Sequence, residues 1–458
     1  MKRKLVTIIL SATMAVSLLA GCGSSAASSG STAADAGSDA GSAAASEAGT
    51  SAASAESGTE AGGDEAWKDQ DITLKVLWGQ STTDAGAEDM IDEALAEVYP
   101  NLHIEWECVD WGEGFGPKMQ QYMQSGLPDV MIGKGQDVKT YASLGILDDL
   151  TDLDAVDKVL DDATKGVTVD DKVYGIVYNA LYQGVFYNRQ VFKDLGLEVP
   201  KTQEDLQHVI DVCNEKGITP FASHMVDSWS IGNVTMQFAI NDIFAKNPSW
   251  GDDFRAGKEK FSGNEDWKNV YNYNKLIYDN TFEDTFSLEQ TACDAKLVNG
   301  EAAMKVSGAW SIQNFLDIDE NFDFGIFPFP NQTGDAKLIF EPNITFMKSK
   351  DTAYSEAADA FINFMAENKD LAVSIYDFTS TASMLKDVTP TFNNPSQTDI
   401  DTYASAGEII DANSGNTQLV WSGFQDENAN DIAEWLLGNE TIDEALEAAD
   451  SRVDVSAP

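Results

Sequence analysis

Residues 171–193, DKVYGIVYNALYQGVFYNRQVFK, form the stretch on which the organisation of the chain depends. It is rich in Val, Ile, Tyr and Phe, a composition typical of extended chain rather than helix. Gly175 and the pair Asn179-Ala180 interrupt it, and after Asn188 the apolar residues change to helical spacing. We therefore predict a strand, a polar kink, a second strand and a short helix. Such a segment between two globular regions can absorb a rigid-body rotation, so it is a candidate hinge.

This stretch and several separated blocks carry a family resemblance. The residues around the hinge that match the sequence pattern of a known family are Tyr174, Gly175, Ile176, Tyr187, Asn188, Arg189, Phe192, Gly196, Leu197, Pro200, Thr202, Glu204 and Leu206. Those in step in the block LVNGEAAMKVSGAWSIQNF, residues 297–315, are Gly300, Ala302, Ala303, Met304, Gly308 and Trp310. A shorter block supplies Gly126, Pro128, Asp129 and Val130. On these residues the chain resembles the extracellular solute-binding proteins of bacterial ABC importers, the carbohydrate-binding family typified by maltose-binding protein.

The resemblance implies an α/β, periplasmic-binding-protein-like fold of two lobes, each a sheet flanked by helices. Crossover hinge strands join the lobes, and a ligand cleft lies between them. We expect the first lobe to comprise residues 67–180 and 338–388, and the second residues 181–337 and 389–458. The length of the chain agrees with two lobes, because a single hydrophobic core stops growing at about 250–300 residues. The residues support the class independently, since strand, helix and strand follow one another between Asp71 and Val109, a pattern of parallel α/β units.

Candidate ligand-binding residues follow from this arrangement. In open α/β sheets ligands bind beyond the carboxyl ends of the strands. Aromatic rings suit the apolar C–H faces of a pyranose, while carboxylate and amide groups hydrogen-bond its hydroxyls. The expected ligand-binding residues are Trp78, Gln80, Trp111, Lys134, Tyr178, Trp229, Gly308, Trp310, Glu341, Asn343 and Trp421. The resemblance implies that Trp310 stacks on the sugar, although Trp229 and Trp310 could each pack in a core instead. A cleft Trp that the family often carries near Gly133 is absent.

The N-terminal sequence has the pattern of an export signal. Lys2, Arg3 and Lys4 precede an apolar run, and residues 1–21 have the pattern of a secretory signal peptide. Leu-Ala-Gly-Cys, ending at Cys22, resembles the lipobox of bacterial lipoproteins, which implies lipidation of Cys22; an ordinary signal with an incidental Cys is the alternative. Beyond Cys22, the chain to residue 66 contains only Gly, Ser, Ala, Thr, Asp and Glu, which cannot form a core. We expect a tether that holds the protein at the outer face of the bacterial cell membrane.

The net charge and the few cysteine and histidine residues limit the classes of function that the chain could have. The formal net charge is −47, which argues against nucleic acid and against docking to anionic lipid. A solvated acidic surface explains it, and a cationic ligand would also fit. The remaining cysteines (Cys108, Cys213 and Cys293) and the scattered histidines (His103, His208 and His224) have no metal or redox spacing. We therefore expect free thiols that are mostly buried, no metal and no cofactor.

The most economical interpretation is a binding protein rather than an enzyme. No phosphate loop and no Gly-x-Ser-x-Gly motif occurs in the sequence, and carboxylate pairs are uninformative in so acidic a chain. The resemblance implies a membrane-anchored monomer that captures a sugar or oligosaccharide by hinge closure and delivers it to an ABC permease. Two alternatives stay open. One is a polyamine-binding or other cation-binding protein of the same fold, and the other is an exported glycan-active enzyme.

Overall fold

The structure, a computed structural model, describes residues 66–80, 84–111, 114–412 and 424–452. The described residues form one compact unit. The strands are β1 (Ile72–Gln80), β2 (Leu102–Asp110), β3 (Val130–Gly133), β4 (Thr168–Val169), β5 (Lys172–Val173), β6 (Ile176–Val177), β7 (Asn179–Asn188), β8 (Thr219–Phe221), β9 (Ala302–Gly308), β10 (Phe324–Phe327), β11 (Leu338–Pro342), β12 (Thr345–Lys348), β13 (Ala382–Ser383) and β14 (Ile409–Asp411).

The helices surround two sheets. They are α1 (Ala87–Val98), α2 (Phe115–Ser125), α3 (Gly135–Ser143), α4 (Asp154–Lys158), α5 (Asp161–Lys165), α6 (Arg189–Leu195), α7 (Gln203–Lys216), α8 (Ser228–Ala239), α9 (Trp250–Arg255), α10 (Glu265–Asp279), α11 (Gln290–Val298), α12 (Ile312–Ile318), α13 (Ser355–Glu367), α14 (Lys369–Thr379), α15 (Gln397–Ala406), α16 (Phe424–Leu436) and α17 (Ile442–Asp450). A π-helical turn, Ile240–Phe244, extends α8. Helix α7 begins at a capping box in which Thr202 and Asp205 bond each other's backbone N–H groups.

The first sheet has the strand order β2-β1-β3-β12-β6. Strands β1 and β2 pair in parallel along their whole length, from Ile72 opposite Leu102 to Gln80 opposite Asp110. The pairing continues past Trp78 through Gly79 to Gln80. The carboxyl ends of β1, β2 and β3 therefore meet at one edge of the sheet, as the predicted parallel unit requires.

The second sheet is built around β7. Its order is β14-β11-β7-β9-β8, with β10 and β13 also paired to β7. Antiparallel pairing places Gln183 of β7 opposite Gly308, the last residue of β9. On the other side, Leu181 of β7 lies opposite Glu341 of β11. The start of β7 and the ends of β9 and β11 thus lie together, where the second lobe meets the crossovers.

The kink in the first crossover lies one residue earlier than predicted. Strand β6 ends at Val177 and β7 runs without interruption from Asn179, so Tyr178 alone separates these two strands. Contacts with distant parts of the chain set the position of this kink. The Tyr178 backbone leaves the sheet ladder: its N–H donates to the Ile344 carbonyl at 2.8 Å, and its carbonyl accepts from the Tyr376 hydroxyl at 2.7 Å.

Buried side chains form separate cores. One core draws on residues from Ile72 to Ala180 and from Ile344 to Val388, around the first sheet. Two others cover the faces of the second sheet, so the fold has two lobes. Cys213 and Cys293 are buried, whereas Cys108 is exposed because β2 is an edge strand. Across the described residues, no helix combines the length and apolar character needed to cross a bilayer, and no three potential metal ligands are grouped.

Candidate ligand cleft

The first lobe presents Trp111 at the edge where its parallel strands end. Trp111 follows β2, and its backbone N–H donates to the Gln80 carbonyl at 3.0 Å. Its ring lies directly against Gly79, where an added Cβ would be 2.1 Å from the ring. The other neighbour is Phe115, with ring centroids 4.7 Å apart. Glycine on β1 therefore allows a half-buried indole to lie directly against the strand end.

The second lobe repeats this device with Trp310. The residue follows β9, and its ring lies over Gly308, where an added Cβ would be 2.1 Å from the ring. The absence of a Cβ at Gly308 is therefore what allows this close approach. The ring of Trp229 meets Trp310 edge to face at 6.3 Å between centroids. Both indoles are partly exposed, so this pair has apolar surface available for a ligand.

Polar groups connect the two tryptophans across the crossovers. Lys134, after β3, lies over the Trp111 ring at 5.0 Å and forms an ion pair with Glu341 of β11 at 2.6 Å. The Glu341 side chain is fully buried and also accepts a hydrogen bond from Gln183. Because Gln183 lies opposite Gly308, a continuous path runs from Trp111 through Lys134, Glu341 and Gln183 to Trp310. We call these five residues the cleft path.

Helix α8 extends the cleft path with buried amides. Asn233 donates to the Gln183 side-chain oxygen at 3.4 Å, and Gln237, one turn later, donates to Asn233 at 2.9 Å and to the Ser307 carbonyl at 3.3 Å. Amides offer both donors and acceptors, which are the groups that sugar hydroxyls require. The network holds the Gln183 side chain in one orientation.

Asp137 adds a second carboxylate beside the ion pair. It lies in the first turn of α3, close to Lys134 and Glu341. Burial raises the pKa of the Asp137 carboxyl to about 7, against the opposing effect of Lys134, and Glu341 raises it further. Its Oδ2 atom is buried without a hydrogen-bond partner in the described part of the chain. Protonation of Asp137 leaves the Lys134–Glu341 ion pair without net charge.

Two predicted ligand residues are corrected by their burial. Trp78 is 1% exposed and packs against Trp106 at 5.7 Å in the first core, because alternate residues of β1 face inward. Tyr178 is fully buried against Tyr376, since its backbone is held between the crossovers. Neither ring has surface available to a ligand in this conformation.

The other residues predicted to bind ligand lie in several different places. Trp111, Lys134, Trp229, Gly308, Trp310 and Glu341 lie along or beside the cleft path. Gln80 is nearly buried and donates to Glu88 at 2.8 Å, so it supports the strand end. Asn343 is half-buried between β11 and β12, at the second crossover. Trp421 and Cys22 lie outside the described residues.

Sequence reasoning missed several polar residues of the cleft. Gln183 interrupts an apolar run, and Asn233 and Gln237 repeat at i and i+4 in an apolar helix, so both patterns were visible signals. Asp137 carried no such signal, because a carboxylate in the first turn of a helix is ordinary. The cleft path itself depends on contacts between distant parts of the chain.

The geometry defines a two-lobe binding protein, and comparison with known proteins agrees. The family model "Bacterial extracellular solute-binding protein" matches residues 78–372, and the chain belongs to this family. Its members are extracellular, so the chain acts outside the cytoplasm.

Relatives and solved structures extend the comparison. The multiple sugar-binding protein of Streptococcus mutans is 21% identical over 350 residues, which are 72% of this chain and 79% of that protein. The structure of RafE in complex with raffinose has a TM-score of 0.69 at 18% identity, over 84% of this chain and 100% of the other. A Bacillus licheniformis sugar transporter in complex with stachyose gives a TM-score of 0.69 at 18% identity, over 84% and 99%. These structural likenesses establish the fold.

Proposed function

We propose that this chain is the receptor of an ABC importer and binds a sugar or oligosaccharide in the cleft. The observation that carries the proposal is the cleft path, in which a partly exposed indole of each lobe is joined by amide and charged groups. Indole faces supply the stacking surface and the amides supply hydrogen bonds to hydroxyls. Relatives named for raffinose, stachyose and multiple sugars support the same ligand class.

Binding would work through closure of the lobes. Trp111 and Lys134 belong to the first lobe, while Gln183 and Trp310 belong to the second. A ligand that contacts both sets stabilises the conformation in which they approach, and closure shifts the population by the difference in affinity. The closed form would then dock on the permease subunits, with Cys22 lipidation holding the monomer at the membrane.

The charge arrangement does not favour a polyamine at this position. Glu341, the fully buried carboxylate of the cleft path, already has Lys134 as its cation at 2.6 Å. A ligand ammonium there would meet a like charge, which costs free energy at short range. A neutral ligand avoids this conflict.

The deciding experiment is calorimetric titration of the purified full chain with a panel of α- and β-linked oligosaccharides, with spermidine included and product analysis afterwards. Saturable binding of an unmodified sugar, weakened at least tenfold in Trp310→Ala, is the expected result. Asn321→Ala, an exposed site away from the cleft path, is the control variant. Binding of spermidine alone, or cleavage of the sugar, would refute the proposal.

The lipid anchor is tested separately. Metabolic labelling with a palmitate analogue should label the chain expressed in a bacterium, and Cys22→Ser should lose the label. Retention of label in Cys22→Ser would place the lipid elsewhere, and no label on the parent chain would refute anchoring.

A further inference from the structure

A small cavity lies beside the aromatic pair of the second lobe. It has a volume of about 20 Å³, and both Trp229 and Trp310 line it. Met225, Ile231 and Ile277 contribute apolar wall, and His224 contributes an imidazole. A cavity above about 10–15 Å³ admits one water-sized group, provided that polar partners are present. We call this cavity the His224 notch.

Two residues of the notch carry buried polar atoms that have no partner among the described residues. They are Nε2 of His224 and Nε1 of Trp310. Most buried polar atoms in proteins are hydrogen-bonded, so two unpartnered nitrogens on one small cavity require an explanation. The indole N–H can only donate, which calls for an oxygen acceptor.

The surroundings keep His224 neutral. Its side chain is 5% exposed, and burial, with a further contribution from Lys305, lowers the pKa of His224 to about 3. Lys305 is itself buried and forms an ion pair with Asp294. A neutral imidazole has one N–H donor and one acceptor nitrogen, so the notch offers a hydroxyl group complementary partners at neutral pH.

We propose that the His224 notch binds the exocyclic hydroxymethyl group of a hexopyranose ring that stacks on Trp310, and so selects hexoses over pentoses. The inference rests on the proposed sugar-binding function and names its ligand class more narrowly. A hydroxymethyl group projects one bond further from the ring than a ring hydroxyl, which suits a notch beside a stacking surface. Its hydroxyl, the one water-sized group that the notch admits, accepts from Trp310 Nε1–H and donates to His224 Nε2, while its CH₂ group lies between the notch and the sugar ring.

The test compares analogues on the unaltered full chain. The hexose oligosaccharide selected from the panel is titrated beside analogues in which one ring at a time carries a 6-deoxy group, and beside the corresponding pentose oligosaccharide. One 6-deoxy position and the pentose compound should bind about tenfold to a hundredfold more weakly, because buried partners lose a hydrogen bond. The other 6-deoxy positions should change affinity far less.

A variant assigns the effect to the notch. In His224→Ala the discrimination between the parent sugar and the sensitive 6-deoxy analogue should fall at least about threefold, since one of the two partners of the hydroxyl is gone while Trp310 still donates. Asn321→Ala should keep the full discrimination. If His224→Ala does not fold, as judged by circular dichroism, the analogue series on the parent chain remains decisive.

Each outcome has a distinct meaning. Equal binding of the parent sugar and every 6-deoxy analogue, or preference for a pentose, overturns the notch assignment while leaving sugar binding intact. Discrimination that persists unchanged in a folded His224→Ala variant also overturns it. Absence of binding to any sugar refutes the proposed function, and the notch assignment with it.

Discussion

At the scale of single residues, glycine controls how the cleft presents its indoles. Gly308 has φ −135°, a value that any residue can adopt, so its constraint is contact with Trp310 rather than backbone strain. We predict that Gly308→Ala weakens ligand binding at least tenfold, because the new Cβ displaces the Trp310 ring. Calorimetry measures this. In the double variant with Trp310→Ala, affinity should fall no further than in Trp310→Ala alone; additive losses would contradict the mechanism.

A second residue-scale prediction concerns Asp137. Its folded pKa, about 7, lies above the ordinary value of 3.8, so the folded state retains a proton that the unfolded state loses. This group therefore lowers the free energy of unfolding as pH rises between about 4 and 7, and the loss is complete above 7. Asp137→Asn should be more stable than the parent chain at pH 8 by on the order of 1–3 kcal/mol, with a difference that shrinks toward pH 4.

Denaturant titrations across this pH range measure the difference. Asp351→Asn, at an exposed site, serves as the matched control and should show a small difference with little pH dependence. A stability difference for Asp137→Asn that is constant from pH 4 to pH 8 would show that this carboxyl does not titrate there.

At the scale of elements, Asn179 joins the first crossover to the second crossover and to the segment that contains Thr381. Its side-chain oxygen accepts from the Ile344 N–H at 2.8 Å, and its amide donates to Thr381 at 2.9 Å. Strand β13 also pairs with β7 at this point. We predict that Asn179→Ala destabilises the fold by about 2–3 kcal/mol, because two buried groups lose their partner. Chemical denaturation measures the effect, and Asn321→Ala should change stability by less than about 0.5 kcal/mol. Equal stabilities of the two variants would deny Asn179 this role.

At the scale of the whole molecule, the two lobes must act together. If ligand bridges the lobes, it binds the folded chain and not the unfolded chain. A ligand at about a hundred times its Kd should then raise the free energy of unfolding by about 2.7 kcal/mol, and small-angle scattering should show a smaller radius of gyration. Trp310→Ala should lose both effects at the same ligand concentration. Stabilisation without any change in radius would indicate binding to a cleft that is already closed.

Local patterns in the sequence predicted much of this molecule. The order strand, helix and strand between Asp71 and Val109 predicted a parallel unit, and α1 between the parallel strands β1 and β2 confirms it. The motif containing Gly308 and Trp310 was recognised in the sequence, but only the structure shows that the Trp310 ring lies against Gly308. The parallel unit and the motif depend on residues close together in the sequence or on a recognisable motif. They can therefore be predicted from the sequence alone.

Contacts between distant residues could not be read in this way. Lys134 and Glu341 are 207 positions apart, and Asn179 and Thr381 are 202 apart, yet each pair forms a direct contact. Trp78 and Trp111 each stand near the end of a parallel strand, but packing buries the first and leaves the second in the cleft. Burial and long-range pairing are properties of the assembled lobes, because they depend on which surfaces the sheets and helices cover. The order of residues thus specified the elements and the family, and the folded arrangement selected which side chains meet in the cleft.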